Sequence, residues 1–316
     1  MFSAEHSISS PSVTLNGAVP TRPRRGRRIR VGRIPLWFVV PALALYAFVT
    51  LVPSVRGAVF GFSDWNGISP TFNLVGFDNY VNIFTDPLAL AALGNTFVFA
   101  AVTMVLQNGI GLLLAVALNT VVKSGGVLRT IFFAPVVLTP LVCGYIWSYL
   151  LAPTGGVNTV LSAIGLDALR QNWLGDPQWA LGAVTVAYLW QFTGFSMVIY
   201  LAGLKAVPVE VIEAAIIDGA GPVRRFVSVI FPLINGAVVI TLLLTLINGM
   251  GQFDQVYAMT GGGPIRATET ISTVVFKVGF QGGDMPYATA LATVMAVVVA
   301  TLATLQYRLT SKRVDS

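Results

Sequence analysis

Charge is scarce in this sequence. Only 10% of its 316 residues are Asp, Glu, Lys or Arg and 55% are hydrophobic, whereas ordinary soluble domains carry roughly 25% charged and about 45–50% apolar residues. A soluble fold of this length would lack the charge to cover its surface, so the apolar excess must face lipid or other membrane helices. Cysteine and histidine are nearly missing, with one of each. Cys143 lies inside an apolar run, has no partner for an internal disulfide and reads as a small packing residue. His6 falls in the polar N-terminal tail. These shortages exclude a Cys/His metal centre, Ser-His-Asp catalysis and Cys-His catalysis. No Gly-x-x-x-x-Gly-Lys-Ser/Thr loop is present to hold nucleotide phosphates. The expectation is a protein that is not an enzyme, binds no cofactor and has no ATP site of its own.

What is present is a series of apolar runs. A bilayer core needs about 20 apolar residues per helix, and six stretches qualify: roughly 35–60, 93–119, 128–151, 179–204, 233–257 and 286–308. The fold class expected is an all-α membrane protein with six transmembrane helices in a domain over 35–316. The first stretch, with interior Pro41 and Pro53 and no small-x-small cleavage site, reads as an uncleaved anchor rather than a signal peptide. No acidic or basic residue lies near the centre of any stretch; Arg56 and Asp254 come close only to the ends. Proton- or sodium-coupled carriers usually keep an intramembrane carboxylate or an unwound ion site, so energy for uphill transport must come from elsewhere.

The formal charge of +6 is local: seven arginines lie between Arg22 and Arg33, and residues 35–316 balance twelve basic against twelve acidic groups. A basic tail abutting an apolar span belongs in the cytoplasm beside anionic lipid, which argues against a nucleic-acid partner. Residues 1–34 read as a disordered basic cytoplasmic tail. Fifteen of the nineteen basic residues fall on one side of the six-span arrangement, and only Arg56, Arg170, Arg266 and Lys277 fall on the other. Both termini are therefore expected in the cytoplasm. The outer loops would be 61–92, 152–178 and 258–285, with short amphipathic segments near Val157–Ile164 and Thr268–Phe280. Those loops can contact another protein or rest on the membrane surface.

Between the fourth and fifth stretches the chain reads LKAVPVEVIEAAIIDGAGPVRRFVSVIFPL, a cytoplasmic loop over 205–232. Pro208 suits the start of a helix and Gly219 its end; a second helix can start at Pro222 and run to Phe231. Ala214, Ala215, Gly219 and Ala220 remove side-chain bulk so that another protein can approach the backbone, and Glu213 and Asp218 flank that surface with charge.

Span five carries Thr241, Thr245, Asn248 and Gln252 at spacings of four, three and four, which places them on one helix face. Amides exposed to lipid would stay unpaired, so the stripe should face the bundle interior or a wet cavity. Interhelical hydrogen bonding and solute contact both satisfy that requirement. On span four, Tyr188, Gln191, Phe192 and Phe195 combine aromatic faces with an amide, suited either to packing or to solute recognition.

The Glu-Ala-Ala, two-residue gap, Asp-Gly-Ala spacing from Glu213 to Ala220, closed by Pro232, resembles the EAA loop of binding-protein-dependent ABC importer permeases. FSDWNG at 62–67, VGFDNYVNIF at 75–84, LGNT at 93–96, LRTIFFAP at 128–135 and FDQVYAMTGGGPIRATET at 253–270 extend the resemblance to carbohydrate-uptake permeases of the MalF/UgpA-like kind. The resemblance implies the type I ABC importer (MetI-like) permease fold. It also implies a second, MalG-like permease as heterodimer partner, a cytoplasmic ABC ATPase dimer that binds the ATP and docks on Glu213, Ala214, Ala215, Asp218, Gly219 and Ala220, and an extracellular sugar-binding lipoprotein. Gap-free alignment on that loop puts Gln191, Phe192, Thr245, Asn248, Gly249 and Gln252 where the maltose-type relative lines its sugar cavity. Residue types differ at most of these places, which argues against maltose itself, and the lack of charge favours a neutral sugar or polyol over a strongly anionic solute. The competing classes are a membrane scaffold or assembly factor that recruits a soluble partner through 208–232, and a self-contained carrier.

Overall fold

The computed structural model describes Trp37, residues 39–119 and residues 125–311; the basic tail 1–34, Lys123, Lys312 and Arg313 lie outside the described residues. The chain divides into two compact units, one ending at Val49 and one beginning at Thr50. In the first unit, α1 (Val40–Tyr46) passes into a π-helical turn at Ala47–Leu51 that straddles the boundary.

The regular elements of the second unit are helices among its described residues, with one isolated β-bridge between Ser63 and Leu74. Its helices are α2 (Val52–Phe60), α3 (Asp78–Ile83), α4 (Pro87–Asn119), α5 (Gly125–Phe133), α6 (Pro140–Leu150), α7 (Gly156–Ala163) and α8 (Pro177–Lys205). They are followed by α9 (Val209–Ile217), α10 (Pro222–Arg225), α11 (Phe231–Leu233), α12 (Asn235–Met250), α13 (Asp254–Met259), α14 (Ile271–Phe276) and α15 (Met285–Ser311). Four runs are long and apolar enough to cross a membrane: Val40–Phe60, α4, α8 and α15. Six result if each of two bent pairs counts as one span.

The bent pairs correct the sequence reading. The stretch 128–151 is not one straight span: Gly125–Val137 and Pro140–Leu150 meet at 98°. Pro140 disfavours a helical conformation for the residue before it. Thr139 and Leu138 accordingly adopt extended dihedrals, with ψ of 141° and 143°. The stretch 233–257 is also interrupted. Pro222–Leu233 turns by 72° into α12 at Ile234, and α12 stops at Met250, leaving 251–253 as a break before α13. The amphipathic segments expected in the loops correspond to α7 and to α14 with its π-helical extension Lys277–Gln281.

α4 is the central element. At 33 residues it is about 50 Å long, and α8 and α12 pack along it. Small residues permit the closest approaches. A Cβ on Gly194 of α8 would stand 2.0 Å from the Phe132 carbonyl oxygen, and one on Gly144 of α6 would stand 2.6 Å from Ala258 Cβ. Cys143 beside it is fully buried. Three apolar clusters follow the length of the bundle. One joins Ala89, Ala92, Leu246, Met250, Val274 and Leu291, and another joins Phe99, Val184, Tyr188, Val256 and Met259. The third gathers the ends of α4 and α8 and the start of α12 around Leu118, Tyr200, Leu204 and Ile234. α15 closes the bundle against α2, α12 and α14.

Candidate functional site

Two regions hold the residues singled out by sequence. In the first, α9 begins after Pro208, whose φ of −60° and ψ of 134° make it the cap rather than the first helical residue. The helix ends in two reversed bonds, Gly219 N–H to Ile216 O at 3.0 Å and Ala220 N–H to Ala215 O at 3.0 Å. This is the Schellman arrangement, which requires a left-handed residue at the position past the cap; Gly219, with φ +75°, supplies it. Glu213, Ala214, Asp218 and Gly219 are exposed, Ala220 is half-buried and Ala215 is buried. Around them stand apolar side chains left bare by the described residues: Ile217 is 85% exposed and Val223 75%. The second arm runs continuously from Pro222 to Leu233 through a π-helical segment, Phe226–Ile230. Its Phe226, Ile230 and Phe231 pack on the third core cluster. The loop thus presents apolar side chains outward and is anchored inward on the ends of three long helices.

The second region is polar and buried. Gln191 and Gln255 are fully buried and Gln252 is 7% exposed. Their carboxamides form a relay: Gln252 Nε2 donates to Gln255 Oε1, Gln255 Nε2 donates to Gln191 Oε1 at 2.6 Å, and Gln191 Nε2 donates to the Leu138 carbonyl at 2.8 Å. Thr270 Oγ1 donates to the Gln252 carbonyl at 2.9 Å. A neighbouring network crosses the bundle, with Tyr200 OH donating to Asn108 Oδ1 at 2.6 Å and Asn108 Nδ2 donating to Thr245 Oγ1 at 2.8 Å.

The six residues expected to line a path occupy different settings among the described residues. Gln191 and Gln252 share the relay, and Thr245 belongs to the Asn108 network. Gly249 packs on α4, where a Cβ would meet Ala100 Cα at 3.1 Å. Phe192 is half-buried and tilts against Tyr188 with ring centroids 4.7 Å apart; Tyr188 itself packs edge-on to Phe99 at 5.2 Å. Phe195 is half-buried, and Asn248 is an exposed amide. The common stripe ends early because α12 stops at Met250, so Gln252 belongs to the break rather than to the helix face. An open apolar groove of about 720 Å³ lies beside it, walled by Ile247, Gly251, Phe276, Met295 and Ala296, and takes in none of the six.

Several polar residues of this region are invisible to sequence periodicity. Gln107 and Asn108 form one adjacent polar pair in an apolar run, and only the i, i+3 pairing of Gln252 with Gln255 across the break hints at an association. Beyond the break, Glu269 is buried. It bonds Lys277 Nζ, which also donates to the Gly261 carbonyl at 2.6 Å, and accepts from Thr273 Oγ1 at 2.6 Å. No group of three or more His, Cys, Asp or Glu side chains suited to a metal ion occurs among the described residues.

Residues 107–316 match the family of binding-protein-dependent transport system inner membrane components. The chain is 35% identical over 278 residues to the probable ABC transporter permease protein YurN of Bacillus subtilis, covering 87% of this chain and 95% of that one. It is 34% identical to the diacetylchitobiose uptake system permease protein NgcF of Streptomyces coelicolor, covering 96% and 89%. In structure it is similar to a chain of a bacterial ABC transporter involved in the import of the acidic polysaccharide alginate, with a TM-score of 0.76 at 23% identity, covering 88% and 96%. The bent helix pairs, the exposed EAA-like loop and the extent of these matches lead to one assignment: the chain belongs to the binding-protein-dependent ABC importer permeases, multi-pass membrane proteins that serve as transport subunits.

Proposed function

We propose that this chain is one of two different permeases that together form the path for a neutral sugar, oligosaccharide or polyol, delivered by an extracellular binding protein and moved by a separate ATPase dimer. The observation that carries the reading is the loop: an apolar, small-residue surface rimmed by Glu213 and Asp218, whose second arm is seated on the ends of α4, α8 and α12. Exposed apolar patches of this kind mark protein interfaces. A push on α9 is transmitted through close-packed side chains rather than through a mobile linker. The chain carries no nucleotide loop, and a partner that closes on ATP binding supplies the energy at this surface.

In this reading the 208–232 end is cytoplasmic, with both termini on the same side, in keeping with the distribution of basic residues. A sugar is favoured by the similarity to NgcF, a diacetylchitobiose uptake permease, and by the lack of charged residues near the centres of the spans. Asn248 supports a shared path. An amide exposed on a span cannot stay in lipid without cost, and the second permease or the solute between the two chains would satisfy it. The loops over 152–178 and 258–285 are the surfaces offered to the binding protein.

The test is co-purification of the ATPase together with uptake in cells. Glu213→Lys and Gly219→Trp should leave the membrane level of the permease unchanged, lose the ATPase from the purified complex and abolish uptake. Normal uptake in both variants would refute the docking role.

A further inference from the structure

Broken spans expose backbone groups that no helical partner reaches, and in a membrane each unpaired group costs several kcal/mol. The Leu138 carbonyl is such a group, because its residue is extended at the elbow between α5 and α6. The Gln252 carbonyl, in the break after α12, is another. Both are satisfied by side chains, Gln191 Nε2 and Thr270 Oγ1. Gln255 stands between the two breaks. It accepts from Gln252 and donates to Gln191, so its one carboxamide ties the end of α12 to α8 and to the elbow.

Two features make this link stiff. Carboxamides are directional: each in the relay donates to the next oxygen, and turning one over costs a bond at both ends. The backbone of α13 also has nowhere to withdraw, since a Cβ on Gly144 would stand 3.3 Å from Gln255 Cα.

We propose that Gln255 is a positioning residue of the transport path, fixing the carboxamides of Gln191 and Gln252, and with them the end of α12 that carries Asn248, relative to α8. The inference deepens the path reading of Gln191 and Gln252 and rests on it; the experiment does not depend on the identity of the solute.

Asn248→Cys provides the reporter, because the native Cys143 is fully buried. In membrane vesicles carrying the assembled importer, without solute, the rate of labelling by a small methanethiosulfonate is compared among backgrounds at the same pH. Gln255→Leu removes both bonds and should change the rate by about fivefold or more, as loss of a local closing interaction does. Gln255→Glu is the rescue. As a neutral acid it accepts from Gln252 and donates its O–H to Gln191 Oε1; ionised, it has no proton to donate. Burial raises the carboxyl pKa, so at about pH 6 this variant should label like the Gln255 background and at about pH 9 like Gln255→Leu. If Gln255→Leu does not reach the membrane, the two pH values of Gln255→Glu decide alone. Equal rates in all backgrounds at both pH values would overturn the proposal. So would a Gln255→Glu rate that does not change with pH relative to the Gln255 background. A wrong solute class would leave every one of these rates as expected.

Discussion

In the middle of the bundle, polar side chains are buried and turned inward. Gln191, Gln255 and Gln252 satisfy one another and the Leu138 carbonyl, while Tyr200, Asn108 and Thr245 tie α8, α4 and α12 together. At the 208–232 end the pattern reverses. Ile216, Ile217, Val223 and Val227 face outward with no cover from the described residues, and the groups that anchor the loop from behind are aromatic and aliphatic. Within a bilayer, internal hydrogen bonds are the alternative to unpaired backbone and side-chain groups. At a docking surface, apolar side chains left bare are completed by another protein. The relay and the Asn108 network are thus satisfied within the bundle, whereas the loop is built to be incomplete.

That contrast can be broken at graded cost. The largest effect is expected for Gly194→Ala, whose methyl would sit 2.0 Å from the Phe132 carbonyl oxygen. Backbone cannot yield as a flexible side chain does, so the cost should reach about 3 kcal/mol or more, seen as a collapse of the monodisperse peak in detergent. Next is Tyr200→Phe, which strands the buried Asn108 Oδ1; the penalty should be about 1–3 kcal/mol, read as a lower thermal midpoint. Ile217→Ser sharpens the comparison from the other side. It should move the isolated permease by less than about 0.5 kcal/mol and still weaken ATPase co-purification. A permease destabilised as much as by Tyr200→Phe would mean that Ile217 serves this chain rather than a partner.

The smallest effect concerns Asp64 in the segment before α3. Hydrogen bonds from Asn73, first from its side chain and then from its backbone N–H, hold the Asp64 carboxyl below the usual aspartate value. A depressed pKa stabilises the fold above the unfolded-state pKa, and that contribution is lost as pH falls through the folded one. Asp64→Ala should therefore lower the midpoint slightly at neutral pH. The difference should fade as pH drops through the lowered folded-state pKa; one that persists undiminished in acid would assign it to packing instead.

The sequence states the loop more fully than the bundle interior. Pro208, Gly219 and Pro222 are local signals, each read within a few residues, and α9 and α10 start or stop beside them. Pro140 is equally local and predicts the elbow by the same rule, yet apolar length alone makes 128–151 look like one span. The interior resists reading because its partners are far apart in the chain: Tyr200 and Asn108 are separated by 92 positions, Asn108 and Thr245 by 137. A polar stripe can be recognised by helical spacing, but spacing does not say where the helix ends. Gln252 falls past the end of α12, and Asn248 is left as the exposed amide of the set.

The elbow at Leu138 also sets a timetable for biogenesis. Its carbonyl is capped by Gln191, 53 residues later, and Gln191 in turn by Gln255, 64 residues beyond that. At about 5–20 residues per second of synthesis, the elbow waits several seconds for its first cap and as long again for the relay to close. A nascent chain that ends before Gln191 holds a bent, uncapped segment that lipid cannot satisfy, so the insertion machinery or water at its mouth must shelter it until α8 arrives.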